Sequence, residues 1–279
     1  MKFELVETTI DQVHAAYKSG ELTCRQLVEM YLERIEKYDQ KGVNLNAIIA
    51  VNPNVFEQAD MLDSAFQTGG FVGPLHGIPV IVKDQMDVTP MATTLGSLLF
   101  KDHYPATDAF VIEKLRKAGA VILAKATLAE LAAGDTHGSL FGSTRNPYDL
   151  ERTPGGSSGG PAVSVTANFC TVAIGQEGYA SICRPSSWNC VVGMRPTSGL
   201  VSRNGVYGGW PTLNGSLGPM ARNVKDLAKL LDVMAGFDPE DPATALGSFL
   251  ESGSYVDGLS EDGLQGARIG VIRESIGHS

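Results

Sequence analysis

An excess of positive charge is the first thing this sequence lacks. Lys and Arg number 22 against 31 Asp and Glu, a formal net charge of −9 at pH 7. Sequence-independent nucleic-acid binding needs clustered cations, so no directly bound nucleic acid is expected. The same balance disfavours an anionic membrane surface, and no apolar run approaches the roughly 20 residues of a membrane helix. The opening MKFELVETTIDQ has no cationic stretch followed by an apolar one, so no secretory signal is read. Cysteine is sparse and forms no CxxC pair. Cys24, Cys170, Cys183 and Cys190 read as reduced thiols of a cytoplasmic protein, not as a disulfide scaffold. The histidines, His14, His76, His103, His137 and His278, are scattered without an HExxH, so no metal site is expected.

What is present fits a globular chain with a sizeable core: 279 residues, 43% hydrophobic and 19% charged, with mean hydropathy near zero. Glycine is abundant, 32 residues, and it crowds into 134–218, which marks a specialised loop region. Near the N-terminus, Thr9 with Gln12 and Thr23 with Gln26 have capping-box spacing, and Gly20 separates two helices. After Thr23 the apolar residues Leu27, Val28, Tyr31, Leu32, Ile35 and Tyr38 recur at helical spacing. Residues 47–51, 78–83, 120–124, 172–174 and 268–273 read as strands, with Pro79 expected near a strand start or edge. Residues 55–68, 107–118, 127–133 and 223–236 read as helices, and the glycine-rich stretch 134–160 as a long functional loop. Helix, glycine, then buried strand at 107–124 is the pattern of an α/β protein.

Three strings carry chemistry: Gly77–Asp84, an apolar strand that delivers Lys83; Thr153–Gly160, which reads TPGGSSGG; and Ala173–Pro185, which contains Ser181. Singly each is ambiguous. A lysine ending an apolar strand is usually a surface residue. GGSSGG lacks the Lys-Ser/Thr pair that a phosphate-binding P-loop needs. Together, with Asn146-Pro147, Val191–Thr197, Gly199–Arg203 and Gly218–Arg222, they closely resemble the amidase signature family of serine hydrolases, over nearly the whole chain. The resemblance implies an α/β fold with a mixed β-sheet core covered on both faces by helices. It implies one domain over 1–279, with a helical segment to about 70 and a catalytic core from about 71.

The same resemblance implies Lys83 as base, Ser157 as a relay after a cis peptide bond, Ser181 as nucleophile, and the backbone N–H groups of Gly178, Tyr179, Ala180 and Ser181 as oxyanion hole. The chemistry is consistent with elementary requirements. A serine hydroxyl needs a base, a lysine is a base only when neutral, and a serine between them both donates and accepts. No cofactor is implied. The expected activity is hydrolysis of a small-molecule carboxylic amide to acid plus ammonia or amine. Two alternatives stand beside it: an amidotransferase A-type subunit releasing ammonia from glutamine for tRNA-dependent amidation, or an inactive truncated member. Complete family members continue well past residue 279, so a complementing C-terminal chain, or a homodimer, is an expected partner.

Other residues have blander expectations. Ser158 is expected to make a structural hydrogen bond in its turn. Cys183 and Cys190 are expected to be small buried residues, and His137 an ordinary loop residue. Tyr179, Trp188 and Gly205–Trp210 are candidates for a pocket wall. Tyr179 and Ala180 stand where the family often has two glycines, and Cys183 where it often has Arg. A Cβ at 179 and 180 restricts positive φ.

Overall fold

The computed structural model describes residues 3–207, 215–249 and 253–273. Helices α1 (Ile10–Ser19) and α2 (Cys24–Arg34) open it, each started by the expected capping box. Each Thr hydroxyl accepts the amide of the Gln three residues on, and that Gln side chain accepts the Thr amide. Gly20 ends α1 at φ 74°, which a residue without Cβ adopts freely. There follow β1 (Ile48–Val51), α3 (Val55–Gly69), β2 (Pro79–Lys83), α4 (Phe110–Lys117), β3 (Val121–Ala126), the short pair β4 (His137–Gly138) and β5 (Gly142–Ser143), α5 (Gly159–Thr166), β6 (Val172–Glu177), α6 (Cys183–Trp188), β7 (Val192–Gly193), β8 (Ser216–Ala221) and α7 (Val224–Met234).

Six strands form one mixed sheet in the order β1-β3-β2-β6-β8-β7. β2 is parallel to β3 and β6, whereas β1, β8 and β7 join antiparallel. The three parallel strands are buried along their whole length, and hence they appear in the sequence as largely apolar runs, with Lys83, Lys125, Gln176 and Glu177 the charged or polar residues near their ends. Pro79 is the first residue of β2, where its missing N–H interrupts no ladder. Helix α5 packs against β2, β3, β6 and β8, and α7 against β6, β7 and β8. The architecture is the expected α/β class, a mixed sheet with helices.

Several local expectations are corrected. Residues 127–133 do not form a helix: there is one tight turn at Glu130–Ala132, with Leu131 and Ala132 at positive φ. The Leu131 amide bonds to the Leu95 carbonyl instead of to its own turn, so a tertiary contact outweighs propensity. Residues 268–273 form no strand. No described strand lies beside them to complete a ladder, and Ile269, Val271 and Ile272 are exposed. Neither β8 and α5 nor the short β4, β5, α6 and β7 are among the elements expected from the sequence. β8 contains Gly218 and Pro219, which disguise a strand, and α5 begins Gly-Gly-Pro, which reads as loop. Pro161 falls in the first turn of α5, where its absent N–H has no intrahelical role. Of the pocket-wall candidates, Gly208–Trp210 lie outside the described residues.

An ion pair fixes the site end of the sheet. Lys125 Nζ lies 2.6 Å from Asp84 Oδ1, and both side chains are fully buried. The ammonium also donates to the Ala92 carbonyl and to Thr93 Oγ1, at 2.7 and 2.8 Å, while Asp84 Oδ2 accepts the amide and hydroxyl of Thr94. Asp84 directly follows Lys83, and its amide donates to the Ala126 carbonyl on β3. The pair thus ties the ends of β2 and β3 to the 92–94 loop. Removing one partner strands a buried charge. Lys125→Met should therefore destabilise the fold by about 3–5 kcal/mol in urea unfolding, and combining it with Asp84→Asn should recover part of that loss.

Candidate active site

Lys83 ends β2, the strand between β3 and β6, and its side chain is fully buried. Its Nζ is 2.6 Å from Ser157 Oγ and 3.1 Å from the carbonyl of Gln176. Burial pushes the Lys83 ammonium well below the ordinary lysine range, and the negative charge of Glu177 opposes this to a smaller degree. Ser157 is buried and follows a cis Gly156–Ser157 bond. Ser158 makes the structural contact expected of it, although to β6 and not within its own turn. Its hydroxyl donates to the Gln176 carbonyl at 3.1 Å and accepts the Gln176 amide at 3.2 Å. The Ser158 amide donates to the carbonyl of Ser181 at 3.1 Å. The serine-rich turn is therefore pinned to Lys83, to β6 and to Ser181 at once.

Ser181 is half-buried, in the turn between β6 and α6. It lines a cavity of about 320 Å³ together with Gly134, Gly156, Gln176, Tyr179 and Arg184. Among the described residues no hydrogen bond joins the Ser181 and Ser157 hydroxyls. The structure brings Lys83 and Ser157 into contact and sets Ser181 beside them through its backbone.

The turn has a definite cause. Glu177, the last residue of β6, is buried, and its Oε2 accepts the amides of Ile182 and Cys183 at 2.6 and 2.8 Å. Those groups lie at the start of α6, where a carboxylate is favoured. The amides of Gly178, Tyr179, Ala180 and Ser181 donate no hydrogen bond to any described residue. They form a free run of donors beside the cavity, directly after the strand that carries the turn. Sequence reasoning singled out these amides; it missed Glu177 as the side chain that shapes the turn, although an acid at this spacing was visible in the motif.

Other candidates are placed as follows. Tyr179 is 89% exposed at the cavity rim, and Trp188 is 46% exposed with the Arg184 guanidinium 5.4 Å from its ring. Cys183 and Cys190 are exposed, not buried as expected, because the short helix and the turn after it present them outward. His137 is exposed, with Nδ1 2.8 Å from Ser143 Oγ, and lines a different hollow. Among the described residues no three His, Cys, Asp or Glu side chains are grouped to hold a metal.

The family model described as Amidase matches residues 26–279. The chain belongs to the amidase signature family. A peptide amidase from Stenotrophomonas maltophilia, solved by X-ray crystallography, superposes with a TM-score of 0.86 at 40% identity, covering 90% of this chain and 53% of that one. A probable amidase of Arabidopsis thaliana is 40% identical over 97% of this chain and 54% of its own length. The A-type subunit of glutamyl-tRNA(Gln) amidotransferase from Deinococcus radiodurans is 41% identical over 96% of this chain and 54% of its own. The chain thus spans about half the length of the relatives it matches. Against the amidase signature pattern, the side chains at Tyr179 and Ala180 require no strained backbone, for neither residue is among those at positive φ.

The buried amine has a thermodynamic signature. Because folding lowers the proton affinity of Lys83, the unfolded chain binds the extra proton between the folded value and the ordinary value of about 10.4. Stability attributable to this residue therefore rises with pH across that window and levels off above it. Lys83→Met removes the dependence. The stability of the wild type relative to Lys83→Met, from urea unfolding, should increase from about pH 7 to about pH 10; a constant difference would show that Lys83 keeps its charge on folding.

Proposed function

We propose that the chain carries the serine-hydrolase machinery of an amidase, with Ser181 as nucleophile, Ser157 as relay and Lys83 as base. The observation that carries this reading is the fully buried Lys83 amine, 2.6 Å from Ser157 Oγ, in a serine turn whose preceding residue, Gly156, lines the same cavity as Ser181. Burial lowers the amine's hold on its proton, which favours the neutral form whose lone pair can accept one.

In the proposed reaction Ser181 turns its hydroxyl toward Ser157, closing a link that the resting structure leaves open. The substrate carbonyl enters the cavity with its oxygen toward the free amides of 178–181. Ser181 Oγ attacks the carbonyl carbon as its proton passes to Ser157 and the Ser157 proton passes to Lys83. The tetrahedral oxyanion is held by the unused amides; losing one such donor typically costs about 100–1000-fold in rate. The Lys83 ammonium returns a proton through Ser157 to the leaving nitrogen, which departs as ammonia or amine. Water, deprotonated along the same line, then releases the acid and restores Ser181.

Which amide is hydrolysed is a matter for assay. Similarity to amidotransferase A-type subunits favours a second reading, in which glutamine is the amide and a partner chain receives the ammonia. A screen of aryl, aliphatic and peptide amides and of glutamine, read with intact mass for an acylated serine, separates the two. Turnover of simple amides without glutaminase activity supports the first reading, and glutaminase activity alone supports the second. Absence of both activities, with no fluorophosphonate labelling, points to an inactive form.

The rate of Ser181 acylation should climb with pH from neutrality as Lys83 gives up its proton, and level off below the ordinary lysine value of about 10.4. Lys83→Ala should abolish most of that rate and Ser181→Ala all of it. Near wild-type acylation in Lys83→Ala would reject the proposed base.

A further inference from the structure

Arg184 does not serve the reaction described above, and the resemblance to the family does not account for it, since the family's usual arginine position holds Cys183 here. Yet its guanidinium is one of the most heavily engaged groups around the cavity. Nε and Nη2 donate to the Gly156 carbonyl at 3.3 and 3.1 Å, Nη2 also donates to the Gly134 carbonyl at 3.1 Å, and the same nitrogen lies 2.8 Å from Asp135 Oδ1. The Arg184 amide is itself tied to the Ala180 carbonyl at 2.9 Å, one residue before Ser181.

These contacts join three separate stretches: the 134–135 loop, the peptide that precedes Ser157, and the turn that bears Ser181. The packing leaves no room for a side chain at Gly156 and little at Gly155. A Cβ at Gly156 would lie 2.3 Å from the Gly134 carbonyl oxygen, and one at Gly155 would meet Trp188 and the Arg184 side chain at 3.1 and 3.4 Å. The Gly156 carbonyl belongs to the peptide plane whose other end is the Ser157 nitrogen. Fixing that oxygen fixes the Ser157 Cα, and with it the hydroxyl that must stay on Lys83.

We propose that Arg184 is a positioning residue: its guanidinium clamps the Gly156 carbonyl against the 134–135 loop and so holds Ser157 in line between Lys83 and Ser181. The proposal rests on the Lys83–Ser157–Ser181 reading. A planar fork suits this task because it offers donors to two carbonyls and a carboxylate simultaneously, which a lysine ammonium on a flexible stem does not match. The charge is balanced by Asp135 and the guanidinium lies over the Trp188 ring, so the clamp needs no substrate to be in place. A residue of this kind acts on the chemical step and not on affinity for a particular amide.

The test is the second-order rate at which a small fluorophosphonate labels Ser181 in the full chain. Arg184→Ala should label about 10–100-fold more slowly, the scale on which a small misplacement of reacting groups acts. Added methylguanidinium should restore several-fold of that rate by occupying the vacated clamp, which a purely structural loss would not allow. Arg184→Lys keeps the charge and most of the volume and should still label about tenfold more slowly. It decides the matter if Arg184→Ala does not fold. Labelling of Arg184→Lys within about twofold of the wild type would overturn the proposal, as would a loss in Arg184→Ala that methylguanidinium leaves untouched. Ser181→Ala, run alongside, separates the two levels: if it labels like the wild type, the nucleophile reading itself falls, whereas a silent Ser181→Ala beside fast Arg184 variants rejects the clamp alone.

Discussion

The site depends on one contact made away from water. A lysine amine placed where no solvent reaches it gives up its charge more readily than it would at a surface, and here it gives its nearest approach to a serine hydroxyl, Ser157 Oγ at 2.6 Å. The location follows from topology. Lys83 ends the central strand β2, and its side chain stands off the sheet on the buried Ser157 turn that leads into α5, itself packed on β2. Placing Asp84 next in sequence could have supplied a counter-ion and kept Lys83 charged, but Asp84 is taken by Lys125. The alternation of a strand sends neighbouring side chains to opposite faces, and the acid and the amine are thereby kept apart.

Around that contact the backbone does most of the shaping. The Gln176 carbonyl receives both Lys83 and Ser158, Ser158 grips Ser181 by its carbonyl, and Glu177 closes the following turn by taking the amides of Ile182 and Cys183 at the start of α6. Since the carboxylate takes residues 182 and 183, the amides of 178–181 are left with no partner among the described residues. Gly178 and Ser181 are half-buried and Tyr179 and Ala180 exposed, so this run of donors stands open at the cavity edge, as the proposed binding of a developing negative charge requires. The close packing of Gly156, Gly159 and Gly160, where a Cβ would fall within 2.3 Å of a neighbouring atom, allows the serine turn to lie this near.

Much of this was legible beforehand. The capping boxes at Thr9 and Thr23 and the buried runs of β2, β3 and β6 declare themselves through local rules, and the three motif strings named Lys83, Ser157 and Ser181 together. What was not legible depends on contacts distant in sequence. β8 is a strand because β6 and β7 lie on either side of it, despite Gly218 and Pro219. Residues 127–133 have the composition of a helix, yet Leu131 bonds to Leu95. Residues 268–273 have the composition of a strand without a described neighbour to pair with. Nothing local in the sequence marks the contacts of Arg184, because the carbonyls it joins are 28 and 50 positions away.

The central claim is that Lys83 is an uncharged amine in the folded protein at the pH where a serine hydrolase works. Nitrogen and carbon NMR of the lysine side chains in isotope-labelled protein, with the Lys83 signal assigned from its disappearance in Lys83→Met, reads that charge directly. The account predicts a neutral-amine signal near pH 8, with its titration midpoint well below the ordinary value of about 10.4. A Lys83 signal that keeps its ammonium shift until the surface lysines titrate would contradict it.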